Sequence, residues 1–141
     1  MSLPVSNLKR LGSFLIDVII LNVFITTPLS SLIEINLPQN ITDLLTMDLS
    51  NILFIASLIS FINFLYWIVL EYKIKQTIGS LLFNISVKSE TKNLTFLQIF
   101  IRNITKLSSL LLILDSISIL FTKKKQRFTE ILTKTYIVEN G

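Results

Sequence analysis

Arg10 and Asp17 stand seven residues apart, two α-helical turns, so both fall on nearly one face of a helix that carries them. A carboxylate placed in an apolar segment can bind and release a cation or a proton, and acids at bilayer depth are costly enough to be rare. The pair also has a structural use. Asp17 would then accept hydrogen bonds from polar groups on a neighbouring helix, such as Asn63, while Arg10 anchors its helix at headgroup level. Along the helix axis the two are about 10.5 Å apart, more than an extended arginine covers alone, so direct pairing does not follow from the spacing.

A second set of charges lies further on. Glu71, Arg102, Arg127 and Glu130 fall near the ends of apolar segments, and Asp115 falls inside one. They read either as a charged vestibule or gate, or as an interfacial salt-bridge network that fixes a helix. The chain has no histidine and no cysteine, which removes the usual general base, the thiolate nucleophile and the commonest zinc ligands. With no phosphate loop or metal motif either, neither catalysis, a cofactor nor a bound metal is expected.

The elements that must position these charges are membrane helices. Residues 11–33 contain a single charge, Asp17, and follow Lys9 and Arg10. About 20 apolar residues cross a hydrocarbon core of roughly 30 Å, so this is a first span. It is too long for a signal peptide, and no small-x-small cleavage site follows it. Residues 51–70 are uncharged and end in Tyr66, Trp67 and Tyr72, then Lys73 and Lys75; interfacial aromatics and basic residues of this kind close a second span. Ala56 and Ser60, four apart, present small side chains on one of its faces.

Residues 95–121 predict a helical segment that opens on a Thr95–Gln98 capping box. Leu97, Ile101 and Ile104 follow one face, and Gln98, Arg102 and Lys106 the other, a spacing suited to lying in the interface with the two cations snorkelling. Its uncharged part before Asp115 is short, and Leu107 to Phe121 has only 15 residues, which fits a segment that enters and returns better than a third crossing. Phe83–Lys88 and Thr135–Val138 have strand character and predict a short cytoplasmic strand pair, with Gly79 breaking the chain before the first. The fold class is therefore an all-α membrane protein: two spans, an amphipathic or re-entrant segment with a third complete span as the alternative, and a basic tail over 122–141, in one domain covering 1–141.

Lysine and arginine are absent from residues 34–50 and frequent at both other ends of the spans. By the charge rule the N-terminus lies in the cytoplasm, the loop outside, and the C-terminus in the cytoplasm again, in a multi-pass protein of the cell membrane. The net charge of +4 flanks apolar segments instead of forming a polar basic domain. It points to anionic lipid headgroups, above all for Lys123–Arg127, and away from nucleic acid.

These residues together resemble the RDD family of small membrane proteins, named for an arginine and two aspartates. Arg10-Leu11-Gly12-Ser13-Phe14-Leu15-Ile16-Asp17 is similar to its opening. Glu71 with Gln76-Thr77-Ile78-Gly79 is similar to its stretch after the second span, with Lys75 and Ser80 where glycine and lysine are usual. Asn84 to Lys88 resembles a following Leu-Arg-Val-Val segment, and Arg102-Asn103 the arginine of the next helix. Gln126 to Val138 resembles the closing motif, with Glu130 in the place of the second aspartate and Asp115 as the other candidate for that role. The resemblance implies membrane transport, with cation exchange proposed for some members. Two spans hardly enclose a path alone, so a homo-oligomer is expected. The alternative is a membrane scaffold or assembly partner that transports nothing.

Overall fold

The computed structural model describes residues 5–32, 40–46, 48–91 and 93–140. Two helices are long and apolar enough to cross a bilayer: α1, Asn7–Ser30, and α3, Ser50–Ile74. Helix α1 starts four residues before the expected first span. Ser6 caps it by accepting from the Lys9 amide, which draws Lys9 and Arg10 into the first turn. The other expected edge, Ile33, and Glu34 after it lie outside the described residues. A π-helical turn, Asn22–Thr26, interrupts α1 just before Pro28, whose missing N–H and ring disturb the preceding turn. A short helix, α2 (Ile41–Thr46), precedes α3.

Helix α3 ends at Lys75, which takes a left-handed conformation with φ 58°. The chain then turns back through α4 (Ile78–Leu82), capped by Thr77, and runs along the first half of α1. Two glycines of α1 and α4 permit this approach. A Cβ at Gly79 would stand 2.1 Å from the Ser13 carbonyl oxygen, and one at Gly12 would stand 2.6 Å from the Phe83 ring.

Strands β1 (Ile85–Ser89) and β2 (Thr135–Glu139) pair antiparallel, Val87 facing Ile137. The predicted strand pair is thus present, with Phe83 and Asn84 as a turn before β1. The Val87 amide donates to the Lys75 carbonyl at 2.8 Å, so the sheet is tied to the end of α3. An ion pair between Lys9 and Glu139 ties it to the start of α1.

Between the strands lie α5 (Phe96–Ile104, prolonged by a 3-10 turn to Leu107) and α6 (Ser109–Phe121), bent from each other by 116° at Ser108. The bent pair has the geometry of a broken span or of a segment that enters and returns, and the chain on either side of it leads to one paired sheet. The predicted capping box at Thr95 and Gln98 is formed. The predicted placement of its polar face is overturned. Arg102 and Lys106 do not snorkel: they are buried, and Leu97 and Ile104 are exposed instead. The acids they meet sit on α3 and on α7 (Phe128–Leu132), so the polar face turns inward and the apolar one outward to lipid. Ala56 and Ser60 are exposed, Ser60 at the edge of a small cavity that Lys106 and Leu107 also line. The inner apolar cluster is small: Phe64 and Ile68 of α3 pack on Ile99 of α5.

Candidate functional site

The charged residues converge where α1 begins and α3 ends, because α4, the sheet and α5 all fold back to that end. Asp17 and Arg10 do not pair. Asp17 is 1% exposed, and neutral donors occupy both of its oxygens: the Tyr66 hydroxyl at 2.7 Å and the Gly79 amide at 2.8 Å on one, the Thr77 hydroxyl at 2.6 Å on the other. Asn63, the expected donor, is not among them. The partners come from Tyr66, one turn further along α3, and from the turn after α3, which α1 can touch only because residue 79 has no side chain.

Arg10 reaches Glu130, with Nη1 3.1 Å from Oε2. Glu130 is the centre of the cluster. It is fully buried and takes Arg10, Arg102 at 3.3 Å and Arg127 at 3.3 Å, together with the Arg127 backbone amide at 3.1 Å. Burial pushes its carboxyl up, but Arg102, Arg127 and Arg10 outweigh that and hold it down at about 2.

Arg102 spans the cluster. Its Nε donates to Glu71 at 3.0 Å while its Nη1 faces Glu130. Glu71 also accepts from Asn103 at 2.9 Å and from Lys106 at 3.1 Å. The Lys106 ammonium lies 3.7 Å from the centre of the Trp67 ring, a cation–π contact in a poorly solvated place. Asp115 is an anchor for the chain after α6. It accepts from the Thr129 amide at 2.7 Å and hydroxyl at 2.8 Å and from Thr105 at 3.1 Å, with Arg127 at 3.7 Å. Arg127 is therefore turned inward and not available to headgroups, unlike its neighbours Lys123 and Lys124, which are exposed. Stray buried charges would be costly; here Glu71, Asp115 and Glu130 each have at least one cation and further donors.

Of the seven residues singled out in the sequence, six (Arg10, Glu71, Arg102, Asp115, Arg127 and Glu130) join in one salt-bridge cluster, and Asp17 lies beside it on its own set of donors. Sequence reasoning missed Tyr66 and Thr77 as partners of Asp17. It read Lys106 as a surface residue. The signal for Thr77 was its place beside Gly79, where a capping hydroxyl meets a close approach. Nothing in the spacing of Lys106 separated an inward from an outward polar face.

Above the cluster is a cavity of about 510 Å³. Arg10, Asp17, Trp67 and Arg102 line it, together with Ile113, Ile117 and Leu120 of α6. No group of acids with metal-ligand spacing occurs among the described residues. Among known proteins, the model of the RDD family matches residues 4–134. No curated protein and no solved structure matches the chain.

Proposed function

The chain belongs to the RDD family of small membrane proteins, and on that footing we propose that it handles an ion or small solute in the cell membrane, as a transporter built from more than one copy. It is not an enzyme in this reading, and its partners are the bilayer and its own copies, not nucleic acid. The observation that carries the reading is the cavity of about 510 Å³ with charged side chains in its lining. Apolar protein of this size seldom keeps such space beside buried charges without a use for it. Helix α6, whose outer residues Leu110, Leu114 and Phe121 are more than half exposed, offers a surface for a second copy. Both termini are placed in the cytoplasm by the charge rule, with the α1–α3 loop outside.

A second reading has its own support. Asp17 is saturated by three fixed neutral donors, which suits a residue that holds helices together in a scaffold or assembly partner. Liposomes containing the purified protein, loaded with cation, proton or small-anion gradients, separate the two. Transport predicts flux above that of empty liposomes, and its loss in Ser116→Phe, which fills the cavity from α6. Flux equal to the empty control for every gradient favours the scaffold.

A further inference from the structure

The Arg10 side chain is 9% exposed and spends one nitrogen on Glu130. Its other two, Nε and Nη2, are buried and have no acceptor among the described residues. Native proteins rarely leave such donors unmet, and a guanidinium fork is shaped to take two oxygens of one phosphate or carboxylate. The balance of charge points the same way. Glu130, the one acid that Arg10 meets, is shared with Arg102 and Arg127, so Arg10 lacks an anion of its own. Asp17 shares the cavity wall, but its oxygens are turned to Tyr66, Thr77 and Gly79.

The α6 part of the lining is apolar. Ile113, Ile117 and Leu120 recur on one face of α6 and line the cavity while remaining 61%, 44% and 76% exposed. A wall that lines a cavity and is also this exposed leaves the cavity open sideways, along a helix surface that otherwise faces hydrocarbon. One end of the space thus offers a buried fork for oxygen anions, and the side offers a slot for alkyl chains.

From this we infer that the cavity is a binding site for a membrane phospholipid of one net negative charge, its phosphate on Arg10 and an acyl chain along Ile113, Ile117 and Leu120. The inference deepens the reading of this cavity as the functional site, by naming a ligand class, but it needs no flux.

Trp67 is the sole tryptophan of the chain and lines the cavity, so it reports occupancy directly. The wild-type protein is placed in phosphatidylcholine vesicles containing a small fraction of lipid with brominated acyl chains, carried on either phosphatidylglycerol or phosphatidylcholine. Both lipids carry a phosphate, but choline neutralises that of phosphatidylcholine; an Arg10 that shares its one acid with two other guanidiniums therefore predicts about a tenfold preference, seen as stronger quenching by the brominated phosphatidylglycerol. Arg10→Gln should abolish the preference. Should that variant not fold, Ser116→Phe, which leaves the charges in place and blocks the slot, should do the same. Lys123→Gln with Lys124→Gln should leave the preference intact.

Equal quenching by the two brominated lipids overturns the inference. So does a preference that survives both Arg10→Gln and Ser116→Phe, or one that follows Lys123 and Lys124. Displacement by millimolar inorganic phosphate also overturns it, since the site would then take a free anion. Preference without flux in the liposome assay removes transport and leaves the lipid site; flux without preference does the reverse.

Discussion

Arg102 Nη1 lies 3.3 Å from Glu130 Oε1, and the two side chains are 2% and 0% exposed. The contact joins α5, from the bent pair, to α7, from the tail, and Arg10 brings α1 to the same carboxylate. Three separate parts of the chain are thereby held by one acid. Replacing it removes the anion from between three guanidiniums: Arg102 and Arg127 keep Glu71 and Asp115, and Arg10 is left with no acid. Glu130→Gln is expected to lower the stability of the detergent-solubilised protein by about 3–5 kcal/mol, the usual cost of breaking a buried pair from one side. Glu130→Asp keeps the charge on a shorter stem and should cost less. Thermal unfolding by loss of the monodisperse peak measures both, and a wild-type midpoint for Glu130→Gln would contradict the role given to this acid.

The same carboxylate sets a pH limit. Its pKa is held down from an ordinary 4.5 to about 2 by the three arginines. A lowered folded pKa means that the unfolded chain binds more protons in between, so stability falls as pH falls. The contribution of Glu130 is full above about pH 4.5 and lost on descending through about pH 2. Unfolding midpoints across that window should drop in the wild type and drop less steeply in Glu130→Gln. Parallel curves would show that other acids govern the loss.

The spans and the strand pair were legible because hydropathy and alternation are local: 20 residues decide a span and five decide a strand. The inward turn of α5 was not. Leu97 and Ile104 form an apolar face and Arg102 and Lys106 a polar one. The pattern is the same whether the interior is greasy and the surface wet, or the surface faces lipid and the interior is charged. Only Glu71 and Glu130, 31 residues before and 28 after Arg102, decide between them. The partners of Asp17 were hidden for a related reason. They depend on a backbone approach at Gly79, which sequence marks only as a break.

The sheet also constrains topology. The Asn140 amide donates to the Asn84 carbonyl at 2.6 Å, so the end of β2 and the start of β1 lie on one side of the membrane. The chain has no native cysteine, and single cysteines at Thr42, Thr91 and Asn140 therefore report without background. An impermeant thiol reagent applied outside should label position 42 alone. Labelling of 140 but not 91 would separate the strands across the bilayer and rule out the pairing.

Lys75 closes α3 at φ 58°, where a side chain is strained and glycine is not. Its ammonium is exposed, and the backbone, through the carbonyl that receives Val87, does the structural work. Lys75→Gly should therefore raise stability by about 0.5–1 kcal/mol, the strain relieved exceeding the added freedom of the unfolded chain. A lowered unfolding midpoint would mean that the lysine stem contributes packing that outweighs the relief.

Asp17 gives the sharpest test of what its charge is for. Asp17→Asn keeps the shape and one carbonyl oxygen, enough for the Tyr66 hydroxyl and the Gly79 amide. The new amide group would face Thr77, whose hydroxyl can accept as well as donate. If the carboxylate only joins α1 to α3 and α4, this variant should fold with little loss and keep whatever flux the wild type has. Asp17→Leu, in contrast, leaves three buried donors without an acceptor, at about 1–3 kcal/mol each, and should fail to assemble. If transport instead needs the negative charge, Asp17→Asn should fold normally and lose flux. Liposome flux and thermal unfolding on both variants together decide it, because a folded, inactive amide is an outcome that helix joining alone does not produce.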